Sequence, residues 1–492
     1  MLTLLAWSPV LLLFYMAVFH RRSALTLAIW GISWTGGIAV IFFETPVRVV
    51  FLAALDGFLV TVPLLLVVYG GILLASVLIP SGSLARLAQW FTQGVKDEWG
   101  RLSLLALGLG NTLEGAGIIA EPVAAPMLRA SGLAPLPSAA LSVIGYSGLM
   151  TLGLGGVIIT VLAGVTGYPT NVLARNAAIL SIPASVFMAW CIPFFAGRSG
   201  FRPGRLGYLF AVGSVAGIAA LAGVEIVGYQ VGELAGGAAL VFFLVIPGIR
   251  KLRVTRTVLK DAAPLAAMGA GIVLVNSLPL VREFARSRFA FDLSIIPGRT
   301  ITFRPFADAY LYLFVAFIAA HFLHERGRGV CSSLLRGSRQ GWSTILAMAL
   351  FGGMGQILSF SGWDLVSGLA IDQARNIPRI LSESLLRAGP VYVVLVPFLG
   401  WVGTFLTGYG VASIMLFATL QVTIAGKLGL SPEWLVSGLA VGASLGGISS
   451  PFKIAFAVSM CGAAGMEGKI LRKTIPLGIL ACLLLGIVMV LK

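Results

Sequence analysis

Apolar residues in this chain neither alternate nor keep to one helical face; they run on for about 20 positions and then give way to short polar connections. Clear runs fall near 3–19, 24–43, 49–79, 169–196, 206–224, 232–248, 262–281, 307–323, 343–361 and 476–491. At 1.5 Å per residue, about 20 residues of helix cross a hydrocarbon core of roughly 30 Å. Continuous apolarity without a two-residue period predicts helical spans and not a barrel.

Two regions break this pattern. Residues 103–167 and 396–464 are apolar yet dense in Gly, Pro, Ser and Thr. They are also alike. "LEGAG" at 113–117 matches "LTGYG" at 406–410. Further on, "SGLAPLPSAALSVIGYSG" at 131–148 aligns with "LGLSPEWLVSGLAVGASL" at 428–445, pairing Gly132 with Gly429, Pro135 with Pro432 and Ser147 with Ser444. The two registers differ by one small insertion. Glycines of this kind can serve close helix packing. Matched breaks in two halves also have a second meaning. Broken helices free backbone N–H and C=O groups, which is tolerable at membrane depth only around a cavity or inside protein, and which many carriers use to bind their solute.

Composition fits this picture. The chain has 492 residues, 58% of them hydrophobic and 11% charged, with mean hydropathy +0.99. Soluble proteins carry about 25% charged residues, so the sequence describes an integral membrane protein without a soluble domain. The net charge of +16 does not signal nucleic acid, because its Lys and Arg gather in "HRR" at 20–22, "IRKLRVTRTVLK" at 249–260 and "HERGRGVCSSLLRGSRQ" at 324–340. Short basic connections mark the cytoplasmic side. The N-terminus is apolar from its first residue, with its positive charge after the run. It reads as a retained span that starts outside, unlike a signal peptide. Segment 81–101 is amphipathic and is expected on the membrane surface. Segment 280–306 carries five arginines in a stretch that span-counting places outside, a conflict with the charge rule.

Little points to catalysis or a cofactor. Cys191, Cys331, Cys461 and Cys482 are scattered and suggest neither a disulfide frame nor a metal site. His321 and His324 have an HxxH spacing but read better as a helix-end pair. An intramembrane protease would need paired aspartates or HExxH, and neither is present. Nothing resembles a channel filter.

At this point the motifs resemble the L-lactate permease family, bacterial carriers of lactate and glycolate. "LEGAGIIAEPVA" at 113–124 is similar to that family's Leu-Glu-Gly-Ala-Ala-Gly-Phe-Gly-Ala-Pro-Val-Ala. "PFLGWVGTFLTGYGVASIMLFATLQ" at 397–421 resembles Pro-Phe-Leu-Gly-Trp-Leu-Gly-Val-Phe-Leu-Thr-Gly and the Leu-Phe-Ala-x-Leu-Gln that follows. "GGISSPFKIAFA" at 446–457 is similar to Gly-Lys-Met-Ile-Ser-Pro-Gln-Ser-Ile-Ala-Ile-Ala. Strong motifs cover about a quarter of the chain, and weaker likeness most of it. The resemblance implies a helical carrier with inverted repeats and re-entrant elements, which moves a small 2-hydroxy monocarboxylate together with a proton. The departures bear on the substrate. The acid of the family's Thr-Gly-Ser-Asp is replaced by Gly410, and the lysine before Met-Ile-Ser-Pro by Gly447. New charges stand at Glu121 and Lys453, in place of an alanine and a serine.

Among single residues Glu114 leads, since a charge at the bilayer centre costs roughly 2.5–3.5 kcal/mol and such acids are functional by default. Burial favours the neutral form of a carboxyl, which suits a proton carrier. Glu121 is a second proton-coupling candidate, or an acid near a span end. Lys453 either holds a substrate carboxylate or neutralises Glu114 or Glu121. Gly115, Gly117, Gly408 and Gly410 form the breaks, and Thr407, Ser413, Ser449 and Ser450 offer hydroxyls to substrate or ion. Asn111 and Ser147 are lesser candidates, and Asp56 and Asp364 stand outside the expected site.

The sequence therefore predicts an all-α polytopic membrane protein of about 12–14 membrane segments, with two repeated halves and broken or re-entrant helices. Residues 1–248 would form the first half, 249–342 a connecting region and 343–492 the second part. The expected activity is proton symport of a small organic anion across a bacterial inner membrane, with no cofactor or metal and no nucleic-acid partner. A sodium-coupled carrier of another carboxylate is the alternative and an intramembrane enzyme a remote one. A homodimer is compatible with all of these.

Overall fold

The computed structural model describes residues 2–491 except 21–22, 96, 197–202, 289, 297–299, 326–328, 364–371, 373 and 463–465. Asp364 lies outside the described residues.

Three helices open the chain: α1 (Leu2–Val18), α2 (Ala24–Ile41) and α3 (Val47–Leu78). After the short α4 (Ser83–Thr92), a hairpin begins. Its first arm is α5 (Glu98–Ser103), a π-helical turn (Leu104–Gly108) and α6 (Leu109–Gly115), and its return arm is α7 (Glu121–Ala130). Next come α8 (Pro135–Ile144), two 3-10 turns (Met150–Leu152 and Leu154–Gly156) and α9 (Val157–Thr166). The middle of the chain holds α10 (Thr170–Trp190), α11 (Ile192–Ala196), α12 (Pro203–Ile226), α13 (Gly232–Val245) and α14 (Arg256–Ser277). The short α15 (Pro279–Ser287) and the antiparallel strands β1 (Phe291–Leu293) and β2 (Ile301–Phe303) precede α16 (Ala309–His324) and α17 (Val330–Ser359). The last part is α18 (Ile377–Leu385), the hairpin of α19 (Tyr392–Thr407) and α20 (Gly410–Leu428), α21 (Pro432–Gly446), α22 (Pro451–Met460) and α23 (Glu467–Val490).

Among the described residues nine helices are long and apolar enough to cross a membrane, and the pair Pro432–Ser449 and Pro451–Val458, bent by 43°, makes a broken tenth. The expected apolar runs all become helices. The amphipathic segment splits: α4 is the expected polar-and-apolar helix, whereas α5 already belongs to the first hairpin.

Polar contacts sort the helix ends into two faces. Arg86 at the start of α4 donates to Asp261 near the start of α14, Nε to Oδ2 and Nη2 to Oδ1, both at 2.7 Å. Ser83 lies against the same aspartate and against His324 at the end of α16. Arg336 of α17 pairs with Glu325 at 2.7 Å. These ends flank the basic loops, so this face is cytoplasmic by the charge rule. On the opposite face Gly362 N donates to Thr45 Oγ1 at 3.0 Å, and Ile296 packs with Ala39, Val49 and Ile357. The described residues of segment 280–306 therefore lie on the outer face, and Arg282, Arg286, Arg288 and Arg304 among them are an exception to the rule.

The two hairpins enter from opposite faces. Gly94, just before α5, packs on Gly248, just before the basic 249–260 loop. Val394 at the start of α19 instead touches Gly486 late in α23, and Trp434 Nε1 of α21 donates to Met489 O at 3.2 Å. Lys473 near the start of α23 lies over the ring of Phe195, next to the cytoplasmic end of α10, so those late residues mark the outer face. The repeat is inverted. The broken span α8–α9 crosses the broken span α21–α22 at their breaks, where Thr151 Oγ1 and Ser444 Oγ share a 2.5 Å hydrogen bond.

Candidate functional site

The matched motifs of the sequence become the two hairpin tips. At the first, Gly117 takes φ +82°, and at the second Gly408 takes φ +86°, left-handed values that favour glycine. Helix α3 passes so close to the first tip that a side chain at Gly71 would collide with the carbonyl of Gly117. Gly115 likewise packs on the backbone of Leu234. These glycines build the site by allowing contact, and Gly115 and Gly117 do not line the space between the tips.

That space is a cavity of about 510 Å³, within the usual ligand-pocket range of about 300–1,000 Å³. Glu114, Glu121 and Pro122 of the first hairpin and Gly408, Tyr409 and Gly410 of the second face each other across it. Lys453 of α22 closes one wall, and α3 and α17 supply mostly apolar lining. The lining continues to Ile79, Pro80 and Met460 at the cytoplasmic ends of their helices, so the cavity opens inward.

Its polar groups form one chain. Lys453 Nζ donates to Tyr146 Oη at 2.8 Å, and Tyr146 Oη donates to Glu121 Oε1 at 2.5 Å. The lysine thus reaches Glu121 through a hydroxyl and meets Met150 Sδ at 3.1 Å on its other side. Glu114 Oε2 accepts the Ala120 N–H at 3.1 Å, which ties the hairpin tip together. Glu114 lies within electrostatic reach of both Lys453 and Glu121. Gly447 adds a detail: a Cβ built there would stand 3.7 Å from Lys453 Nζ and 3.3 Å from Ser147 Oγ. The Lys453 ammonium fills the space into which a side chain at 447 would point.

Several expected hydroxyls turn to the backbone and away from the cavity. Thr407 Oγ1 donates to Gly403 O and accepts from Tyr409 N, fixing the second tip. Ser413 donates to Gly400 O, Ser449 to Thr474 O and Ser147 to Val143 O. Ser450 is buried at the start of α22, and Asn111 Nδ2 ties α6 to Gly145 O at 3.2 Å. His321 and His324 sit in separate networks, with Ser333 and with Ser83; His321 is buried and His324 half-buried at the face where the sequence suggested a snorkelling pair. Asp56 is a buried acid inside α3, apart from the cavity lining.

The structure adds Tyr146, between Lys453 and Glu121, and Tyr409, on the cavity wall, to the residues expected from sequence; the signal for Tyr146 was a lone aromatic in the breaker-rich 145–156 stretch.

A family model described as L-lactate permease matches residues 3–288 and 301–492. The chain belongs to the L-lactate permease family. It is 23% identical over 546 residues to the L-lactate permease of Escherichia coli K12, covering 100% of this chain and 95% of that one. It is 24% identical over 504 residues to the glycolate permease GlcA of the same organism, with coverage of 92% and 89%. The L-lactate permease of Bacillus subtilis is 23% identical over 540 residues, with coverage of 99% and 94%. Among solved structures, the YdaH transporter of Alcanivorax borkumensis, described as having an unusual topology, matches with TM-score 0.50 at 14% identity, over 96% of this chain and 98% of that one. That likeness is one of fold. This member of the lactate permease family is a multi-pass membrane protein whose paired hairpins carry the family motifs.

Proposed function

We propose that this permease carries a small 2-hydroxy monocarboxylate, lactate or glycolate, across a bacterial inner membrane by proton symport. The observation that carries the reading is the Lys453 ammonium, held inside the cavity between the two hairpin tips. Its relatives' names supply the substrate class, and the geometry at Gly447 explains how this chain keeps it. The family's lysine is absent at 447, and the Lys453 ammonium lies 3.7 Å from where a Cβ at 447 would stand.

A carboxylate entering from the cytoplasmic opening would displace the Tyr146 hydroxyl from Lys453 and take a point-charge contact. Tyr146 would stay on Glu121, so the protein's own acid and the substrate compete for one cation. Glu114, on the facing tip, is the acid placed to carry the coupling proton, because its carboxyl lines the cavity and is tied to the Ala120 N–H of its own hairpin tip. Movement of one hairpin against the other would then alternate access about the crossing at Thr151 and Ser444. A proton is favoured over sodium because Thr407, Ser413 and Ser449 stand outside the cavity lining, and the Thr407 and Ser449 oxygens already accept N–H groups from Tyr409 and Trp401.

The test is counterflow in proteoliposomes with lactate, glycolate, pyruvate and dicarboxylates, followed by uptake under separate pH and sodium gradients. Lactate or glycolate exchange with pH-driven accumulation is expected. Dicarboxylate preference, or uptake only with sodium, sinks the reading. In Glu114→Gln, pH-driven uptake should fall by about tenfold or more while exchange persists.

A further inference from the structure

A third glutamate lies behind the cavity wall. Glu233, in the first turn of α13, is fully buried at 0% exposure, and neither carboxyl oxygen has a hydrogen-bond partner among the described residues. Its Oε2 presses against Gly153, in the linker that breaks α8–α9, while Met150 and Leu154 of the same linker line the cavity on the other side. One backbone thickness therefore separates this acid from the substrate space. The backbone of Glu233 and Leu234 also lies directly on Gly115, next to Glu114, and the two carboxyls are within electrostatic reach of each other. Glu233 thus sits at the depth of the first hairpin tip, on the side of the linker away from the cavity.

An ionised carboxylate there would have no hydrogen-bond donor among the described residues, a cost of several kcal/mol that protein interiors avoid by keeping the group neutral. Resting on the symport reading above, we propose that Glu233 is a second proton site, which holds the coupling proton apart from the substrate while the cavity faces the cytoplasm. Exchange between Glu233 and Glu114 moves one proton between two carboxyls and needs no other reactant. The linker is built to open and close that route. Leu154 at φ +51°, Gly155 at +65° and Gly156 at +73° form a run of left-handed residues, held where regular helix would otherwise seal the wall. Leu154, a branched residue in that conformation, is strained.

Among the described residues few charged or titratable groups face this acid. They are Glu114 of α6, Tyr146 beyond α8 and Lys453 of α22, with Tyr229 just before α13. At the same end, α12 has Glu225 in an exposed pair with Arg175, α14 has the neutral Asn276, and α16 begins with Asp308 and Tyr310. Arg86 on α4 and the basic residues after α13 pack at its far, cytoplasmic end.

The experiment compares Glu233→Gln with the unmutated carrier in proteoliposomes. Expected is a loss of about tenfold or more in pH-driven lactate uptake and a flattened pH profile, with lactate counterflow kept within about twofold. Unchanged pH-driven uptake overturns the proposal, and so does loss of counterflow in a variant that keeps its Tm. If the variant fails to fold, the unmutated protein answers through dicyclohexylcarbodiimide, which attacks protonated buried carboxyls. Mass spectrometry should find Glu233 modified, less so as the pH rises, and no modification at any pH overturns the proposal. Should the unmutated protein exchange neither lactate nor glycolate, the substrate reading fails, and the carbodiimide result still decides Glu233.

Discussion

At the scale of single residues, the positions of charge matter more than their number. On the proposal that Lys453 takes the place of the lysine that the family resemblance sets at 447, substitutions at the two positions should be coupled. Lys453→Ser is expected to raise the KM for counterflow by about tenfold or more, the loss of one buried charge-assisted contact. Adding Gly447→Lys should restore most of it; a double variant as poor as the single one would show that the two ammonium positions are not equivalent. Glu114 and Lys453 were legible in the sequence because a charge inside an apolar segment has no cheap structural explanation. Tyr146 was not, since an aromatic in a span is ordinary until its hydroxyl is seen between Lys453 and Glu121. Glu233 looked like the end of a span because nothing local reveals that other helices cover it. Thr407, Ser413 and Ser449 were the converse case. Their hydroxyls could have served a ligand, but each found a backbone carbonyl within one or two turns or on a neighbouring helix, the common fate of such residues in apolar surroundings.

The helices themselves were easier to read than their connections. Long apolar runs announced every full span but α20, which lies in the second breaker-rich region, and the pairing of "LEGAG" with "LTGYG" announced two equivalent breaks. The hairpin arms escaped span-counting because α6 has 7 residues and α7 only 10, with a π-helical turn supplying the rest of the first arm. Which face each hairpin enters from depends on contacts hundreds of residues apart, such as Val394 against Gly486. The tight pass of α3 over the first tip gives a test at this scale. Gly71→Val must push the Gly117 carbonyl aside, and overpacking of this kind costs about 1–3 kcal/mol. A lower Tm in detergent and weakened transport are expected; a variant with unchanged Tm and rate would mean that α3 and the tip do not touch in the working protein.

For the whole molecule, the sorted helix ends fix an orientation that one native thiol can report. Cys191, Cys461 and Cys482 are buried, while Cys331 is exposed at the cytoplasmic start of α17. A membrane-impermeant maleimide should label Cys331 in inverted vesicles and leave right-side-out vesicles unlabelled; the opposite pattern would reverse the orientation argued here. The same orientation bears on how the protein is made. Five arginines at 280–306 must be pushed through the membrane during synthesis, against the bias that keeps basic residues inside. The basic loops at 249–260 and 324–340, on either side of that segment, pull the other way. Insertion of α14 and α16 is thus a contest between neighbours, won by the two flanking loops acting together. Neutralising their basic residues other than Arg336, which pairs with Glu325, would spare that fold contact, yet remove most of the retention signal that decides which way this part of the chain is threaded.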